Sequence, residues 1–373
     1  MLSWDGRFYF GIMRRGYEWA PANLKQTQNI AFFPAQALLN WLGSLFTKPN
    51  NPLPALLMSL SFGAASIFAF HALASRVLAT RDAGFAAALF AFWPASSFFI
   101  MGYPTGLISL CIIGALGAHV RGQYWRSALW CGLGSAAAPT VMFVVAASYL
   151  DRGITLLRQG ITARRSLHLA LWVLLCASGL LSFMIYQRIR FHDALAFNAA
   201  QSAWGKAPGL SQRLHRFEDW HWYIQQAQSE RQEIAHGLAL WRQDHLLPGM
   251  TGIEAGVQRW VSSLSMTLVT VGLAAASFGL WRRAAILPFA GWCVFVGYMW
   301  FIFTTSQHLL CVPRLLSPAI ALFLGFGLLA GRLPGIVGSA MLLLALLTSA
   351  LEPPSSQAAI GLSKKPGPAL SSQ

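Results

Sequence analysis

One carboxylate stands apart in this chain. Asp5 sits in the stretch Trp4-Asp5-Gly6-Arg7-Phe8-Tyr9, just ahead of the first strong apolar span. A carboxylate at a membrane face could take the proton of a hydroxyl as a general base. A short helix there would place Asp5, Tyr9 and the pair Ile12, Met13 on one side. The plainer role for Asp5 is an N-cap at the entrance of that helix. Trp4, Arg7, Tyr9, Tyr17 and Phe33 are the residues of this segment expected to bind substrate.

Other candidates lie far away in sequence. In Phe197-Asn198-Ala199-Ala200-Gln201-Ser202-Ala203-Trp204, the amide of Gln201 and the indole of Trp204 suit carbohydrate hydroxyls and ring faces. The same stretch also reads as a surface helix with Trp204 as its interfacial anchor. Arg314 follows Pro313 at the end of an apolar span and could hold a lipid phosphate bidentately. It could equally snorkel to the interface. Tyr103-Pro104-Thr105-Gly106 reads as a tight turn, with Tyr103 a further binding candidate. His215, His221, His236 and His245 show no metal-ligand spacing, so no metal site is expected there. Cysteines at 111, 131, 176, 293 and 311 form no CxxC pair and read as small core residues. Phosphate-loop, dinucleotide and nucleophile-elbow patterns are missing from any suitable context.

The elements that must position these residues are membrane spans. Of 373 residues, 55% are hydrophobic and 10% charged, against roughly 25% charged in soluble domains; mean hydropathy is +0.51. Composition therefore predicts an all-α, polytopic transmembrane bundle of about eight to ten membrane segments. Apolar runs place spans near 54–79, 83–100, 104–120, 127–150, 166–188, 258–280, 284–304, 311–330 and 333–351. Segment 30–46 is shorter and interrupted by Pro34, Gln36 and Asn40. The net charge of +15 fits basic cytoplasmic connections, and no nucleic-acid partner is expected.

Arginines mark the connections at 76–81, 121–126, 151–165 and 281–283 as cytoplasmic. The long connection 189–257 holds six Lys and Arg against seven of the chain's twelve acids and is assigned to the outer face. Residues 1–34, 101–104 and 304–313 share that face. One crossing between 126 and 151 cannot return to its own side. Pro139 offers the solution: a broken, re-entrant pair of helices, with 136–141 bordering the active cavity.

These residues resemble a known pattern. Trp4-Asp5-x3-Tyr9-x2-Ile12-x3-Gly16-Tyr17 followed by Ala31-Phe32-Phe33-Pro34 resembles the first outer loop of GT-C glycosyltransferases, above all the PIG-V-type mannosyltransferases and their bacterial relatives. Ala196-Phe197 through Gln201 with Trp204-Gly205, and Val312-Pro313-Arg314, resemble that family's later motifs. The resemblance implies a multi-helix GT-C fold with an outward active site. It implies transfer of a sugar, typically mannose, from a polyprenyl-phosphate donor to a hydroxyl acceptor, with Asp5 at the reaction centre. The chain departs from the pattern where Thr105 replaces an acid and Ala138-Pro139 replaces Arg-Pro, and the helix that normally precedes the Trp-Asp motif is expected to be missing.

The expectation is a single membrane domain over 1–351, with 1–34 as a reactive outer loop, 189–257 as a long outer loop and 352–373 as a disordered tail. Its expected activity is that of a membrane glycosyltransferase in the bacterial inner membrane. Its partners would be the bilayer, a lipid-linked sugar donor and a glycan, lipid or protein acceptor. The scheme requires no metal and leaves a divalent metal open; the polyprenyl-phosphate sugar enters as donor substrate. Two other classes stay open: a catalytically degenerate accessory homologue that binds a lipid-linked sugar, and a transporter or flippase. Transport would need more polar groups inside the spans than His71 and its few companions provide.

Overall fold

The computed structural model describes residues 6–24, 26–47, 51–204, 251–305 and 312–332. They form an all-helical membrane bundle. Helices α1 (Gly6–Arg15), α2 (Pro34–Ser44), α3 (Leu53–Val77), α4 (Thr80–Ala91), α5 (Thr105–Val120), α6 (Tyr124–Ser135), α7 (Val141–Gln159), α8 (Ala163–Phe191) and α9 (Ala196–Ala199) follow in order. Beyond them come α10 (Thr251–Ala284), α11 (Ile286–Thr305), α12 (Val312–Leu316) and α13 (Ala321–Ala330). Among the described residues, α3 and α8 are long and apolar enough to cross a membrane by themselves, while α5, α13 and the stretch 286–299 of α11 are shorter apolar helices.

Several predicted spans are not continuous. Span 83–100 ends as an α-helix at Ala91, and a 3₁₀ turn (Pro94–Phe99) follows, because Pro94 has no amide hydrogen to continue the ladder. Span 311–330 divides into α12 and α13 around Pro318. Segment 30–46 is the eleven-residue α2, in which buried Gln36 donates through Nε2 to Oδ1 of buried Asn40 at 2.9 Å. Within the expected outer loop, α1 is followed by 3₁₀ turns at Pro21–Asn23 and Asn29–Ala31. Tail 352–373, span 333–351 and positions 205–250 of the long connection lie outside the described residues.

The chain breaks at 136–140, around Pro139. Helix α6 ends at Ser135, and α7 starts at Val141. Both return to the same end of the bundle, where His119 at the end of α5 meets Asp151 of α7 at 2.9 Å and Arg152 lies 4.3 Å over the ring of Tyr124 at the start of α6. The break frees the carbonyl of Ala136, which accepts the amide of Ala35 at the start of α2 at 2.9 Å. Helix α8 grips the hairpin closely: a Cβ at Gly179 would collide with the backbone of Gly132 and Ala136.

Packing also fixes which ends lie together. Leu73 near the end of α3 faces Gly117 near the end of α5, and Leu78 and Asp82 face Gly327 and Gly331 at the end of α13. The arginine-bearing connections after α3, α5 and α7 thus share one end of the bundle, together with the C-terminal end of α10. The opposite end holds a second apolar cluster, in which Tyr9, Ile12, Ile30, Phe32 and Phe33 pack against Phe183, Ala196 and Ala200.

Candidate functional site

At that opposite end the chain encloses a cavity of about 490 Å³. Its wall is assembled from segments far apart in sequence. Tyr9 comes from α1, Ala31 and Phe33 from the approach to α2, Tyr103 to Thr105 from the turn into α5, and Ala137 to Thr140 from the break between α6 and α7. Phe197, Asn198 and Gln201 come from α9 and the 3₁₀ turn after it, Tyr298 from α11, and Arg314 from α12. The wall is mostly apolar, with hydroxyl, amide and guanidinium groups set into it, and no Asp or Glu is among the described lining residues.

Local sequence explains how each group arrives. Pro34, Pro104 and Pro139 each stand at or just before a helix start, a position where proline costs no hydrogen bond. Consequently α2, α5 and α7 all begin at the cavity wall, behind Phe33, Pro104 and Thr140, and no side chain caps any of the three. Each helix start carries the partial positive end of its dipole, although the Ala35 amide of α2 is taken by the Ala136 carbonyl and the first amides of α7 by the carbonyls of Ala138, Pro139 and Thr140. Arg314 adds a full charge to the same space. Backbone contact sets the depth of the α5 start: a Cβ at Gly106 would stand 2.6 Å from the amide nitrogen of Gly63 in α3. Buried Ser59 donates its hydroxyl to the carbonyl of Tyr103 at 2.9 Å.

The first segment is held down by its own polar groups. Tyr17 donates to the carbonyl of Phe32 at 2.8 Å, and its ring lies 5.2 Å from that of Phe183. Burial pushes the phenol's pKa well above its usual value, reinforced by Tyr9 and Tyr186. Gln28 exchanges hydrogen bonds with both backbone groups of Ala20, at 2.8 and 2.9 Å. Asn29 accepts from the amide of Glu18 at 2.8 Å and donates to the carbonyl of Gly16 at 3.1 Å. Phe8 stacks on Phe32 at 4.6 Å, so α1 is fastened to the entry of α2 and turns Tyr9 inward.

Of the residues expected from sequence, the structure brings Tyr9, Phe33, Tyr103, Gln201 and Arg314 to this one cavity. Arg7 is exposed and outside the lining. Tyr17 stands behind the wall, where its hydroxyl braces Phe32. Trp204 ends the 3₁₀ turn Ala200–Trp204. Trp4 and Asp5 lie outside the described residues. Sequence reasoning passed over Tyr298, although a hydroxyl beside Gly297 in the middle of the apolar α11 is a recognisable signal. It also passed over Phe143 and Phe98, which look like ordinary apolar residues. Among the described residues no three of His, Cys, Asp and Glu come together as metal ligands.

Fold and site together define a membrane protein with a largely apolar cavity at one end of a helical bundle, its wall carrying a few hydroxyl and amide groups and Arg314. The chain is similar to GPI alpha-1,6-mannosyltransferase 2 of Homo sapiens, with 31% identity over 141 residues, which are 35% of this chain and 27% of the human protein. The Mus musculus and Rattus norvegicus proteins of that name are 30% and 32% identical over 139 and 140 residues, again 35% of this chain and 27% of each relative. The match thus spans little more than a quarter of the length of these curated relatives. No family model matches the chain.

Proposed function

We propose that this protein is a membrane glycosyltransferase of the GT-C type, which moves mannose from a polyprenyl-phosphate donor to a hydroxyl acceptor. The observation that carries the reading is the convergence of Arg314 and the starts of α2, α5 and α7 on one cavity. Such a surface suits a phosphate, and it would stabilise the negative charge that grows on the departing lipid phosphate. The amides of Asn198 and Gln201 and the hydroxyls of Thr105, Thr140 and Tyr298 suit the sugar. Similarity to proteins named as mannosyltransferases supports the choice of mannose.

In this scheme Asp5 takes the proton of the acceptor hydroxyl, whose oxygen attacks the anomeric carbon. The bond from that carbon to the phosphate oxygen breaks, and polyprenyl phosphate leaves with the electron pair. Asp5 directly precedes α1, and Tyr9, one turn later, lines the cavity; this spacing supports the assignment. The arginine-rich connections at the other end of the bundle support a cavity facing outward across a bacterial plasma membrane.

A second reading, a lipid-sugar-binding homologue without catalysis, draws on the missing carboxylate in the described wall and on Thr105. Transfer from labelled polyprenyl-phosphate mannose in isolated membranes separates the two. Wild type is expected to transfer sugar, and Asp5→Asn at matched expression to lose about 10²-fold or more of that rate. Equal rates would remove Asp5 from the reaction, and no transfer by either would favour the binding homologue.

A further inference from the structure

The short helix α9 brings Phe197 and Asn198 to the cavity wall, and the 3₁₀ turn Ala200–Trp204 that continues it brings Gln201. One turn of helix does not hold its own shape in isolation. Its support comes from α8. That helix ends at His192, whose left-handed backbone (φ 60°) turns the chain back, so that Phe197 lies beside Gln187. Gln187 is fully buried, and its Oε1 accepts the amide of Phe197 at 3.2 Å. No side chain of the preceding Leu195 caps α9, so this bond from another helix takes the place of a cap. The neighbouring amides have local acceptors: those of Asn198 and Ala199 reach the carbonyl of Leu195 at 2.8 and 3.0 Å, and that of Leu195 reaches Oδ1 of Asp193 at 2.9 Å.

Resting on the function proposed above, we infer that Gln187 is a positioning residue for recognition of the donor's sugar: its side-chain oxygen fixes the start of α9 and so sets where the amides of Asn198 and Gln201 stand in the cavity wall. Ring contacts alone would leave that segment free to turn. Phe197 meets Phe33 edge to face at 5.3 Å and lies 6.1 Å from Phe183, one turn before Gln187 on α8. Such contacts tolerate sliding, whereas a hydrogen bond fixes direction as well as distance. The far end of the segment is tied too, since the hydroxyl of Ser202 donates to the carbonyl of Leu24 at 3.1 Å. Gln201 thus lies between two polar ties. The Phe197 amide is a donor, so it is the oxygen of Gln187 that must face it. The Nε2 of Gln187 is buried with no hydrogen-bond partner among the described residues. A methionine of similar length would fill the same place without burying a lone N–H group, so packing does not call for an amide here, but the bond to Phe197 does.

The test uses the full chain, purified in detergent, and compares binding of two lipids, polyprenyl-phosphate mannose and bare polyprenyl phosphate. A loss of fold or of the phosphate subsite weakens both; a misplaced sugar subsite weakens the first alone. Gln187→Met is expected to shift the ratio of the two affinities about fivefold against the sugar-bearing lipid, with bare polyprenyl phosphate bound within twofold of wild type. Gln187→Glu keeps an acceptor oxygen at the same place and should restore the ratio to within twofold. In a background of Asn198→Ala and Gln201→Ala, Gln187→Met should move the ratio no further. An unchanged ratio in Gln187→Met overturns the inference, as does an equal loss for both lipids or a further shift in that background. Should Gln187→Met fail to fold, Gln187→Asn, whose shorter arm withdraws the acceptor and stays polar, decides in its place. If wild type binds both lipids but transfers no sugar, the enzyme reading fails while the positioning role stands on the binding ratio. If wild type binds neither lipid, the donor reading fails and the positioning role falls with it.

Discussion

Arg314 and Arg152 are held by the same device and put to different ends. Each guanidinium lies over two rings, Phe98 and Tyr103 for the first, Tyr124 and Trp172 at 4.3 and 5.2 Å for the second. What differs is the far side of the charge. Arg314 lines the cavity itself. Arg152 follows Asp151, which pairs with His119, and the indole of Trp172 donates to the carbonyl of Tyr124 at 2.8 Å. There the cation belongs to a clamp that joins α5, α6, α7 and α8. A cation over aromatic rings can therefore be a tool or a rivet, and its neighbours decide which.

Swapping charge for amide at both places is the strongest way to break this contrast. Arg314→Gln is expected to lower kcat/KM for sugar transfer about 10²-fold while leaving the unfolding temperature nearly unchanged. Arg152→Gln should do the reverse, costing about 1–2 kcal/mol of stability with transfer within a few-fold of wild type. Steady-state kinetics and thermal unfolding of the same preparations give both values, and equal kinetic losses would erase the distinction.

Trp172→Ala at the clamp should destabilise by about 3–5 kcal/mol, since Trp172 is fully buried between helices. Because the α6–α7 hairpin hangs from that clamp, protease cleavage near 136–140 should rise in parallel; an unaltered cleavage pattern would show that the tip is held by α2 and α8 alone. At the cavity end Gly106→Ala brings a methyl within 2.6 Å of the Gly63 backbone and is expected to cost about 1–3 kcal/mol. It should also raise the donor KM, because the start of α5 must move.

The smallest effect belongs to Tyr17. Tyr17→Phe should cost about 1 kcal/mol from the lost bond to Phe32. The sign with pH follows from its raised pKa. Only the neutral phenol fits its buried place, so its contribution is whole below the ordinary tyrosine value of 10.0 and fades as pH climbs from there toward the higher native pKa. Wild type should thus lose its stability margin over Tyr17→Phe in strongly alkaline buffer, as thermal unfolding across that range would record.

Much of the site was legible because polar residues are scarce in this chain. Among so many apolar residues, Tyr9, Tyr103, Gln201 and Arg314 stand out, and all four line the cavity. Pro139 was readable for a different reason: two arginine-rich connections flanked one span, and only a break could reconcile them. Arg7 and Tyr17 lie within the motif but outside the cavity lining, Arg7 exposed and Tyr17 bracing the carbonyl of Phe32. Span ends near Pro94 and Pro318 were overrun because hydropathy averages over a window and does not register one missing amide hydrogen.

Composition and charge order alone determined a helical membrane bundle, its arginine-rich connections and the need for a broken hairpin, because the bilayer admits few ways to satisfy a backbone. Only the tertiary structure decided that three helices start at one cavity, and that Tyr298 and Phe98 stand in and behind its wall. Those facts depend on which helices cross, and at what depth. Close contacts such as Gly63 with Gly106 set that depth, and hydropathy carries no record of them.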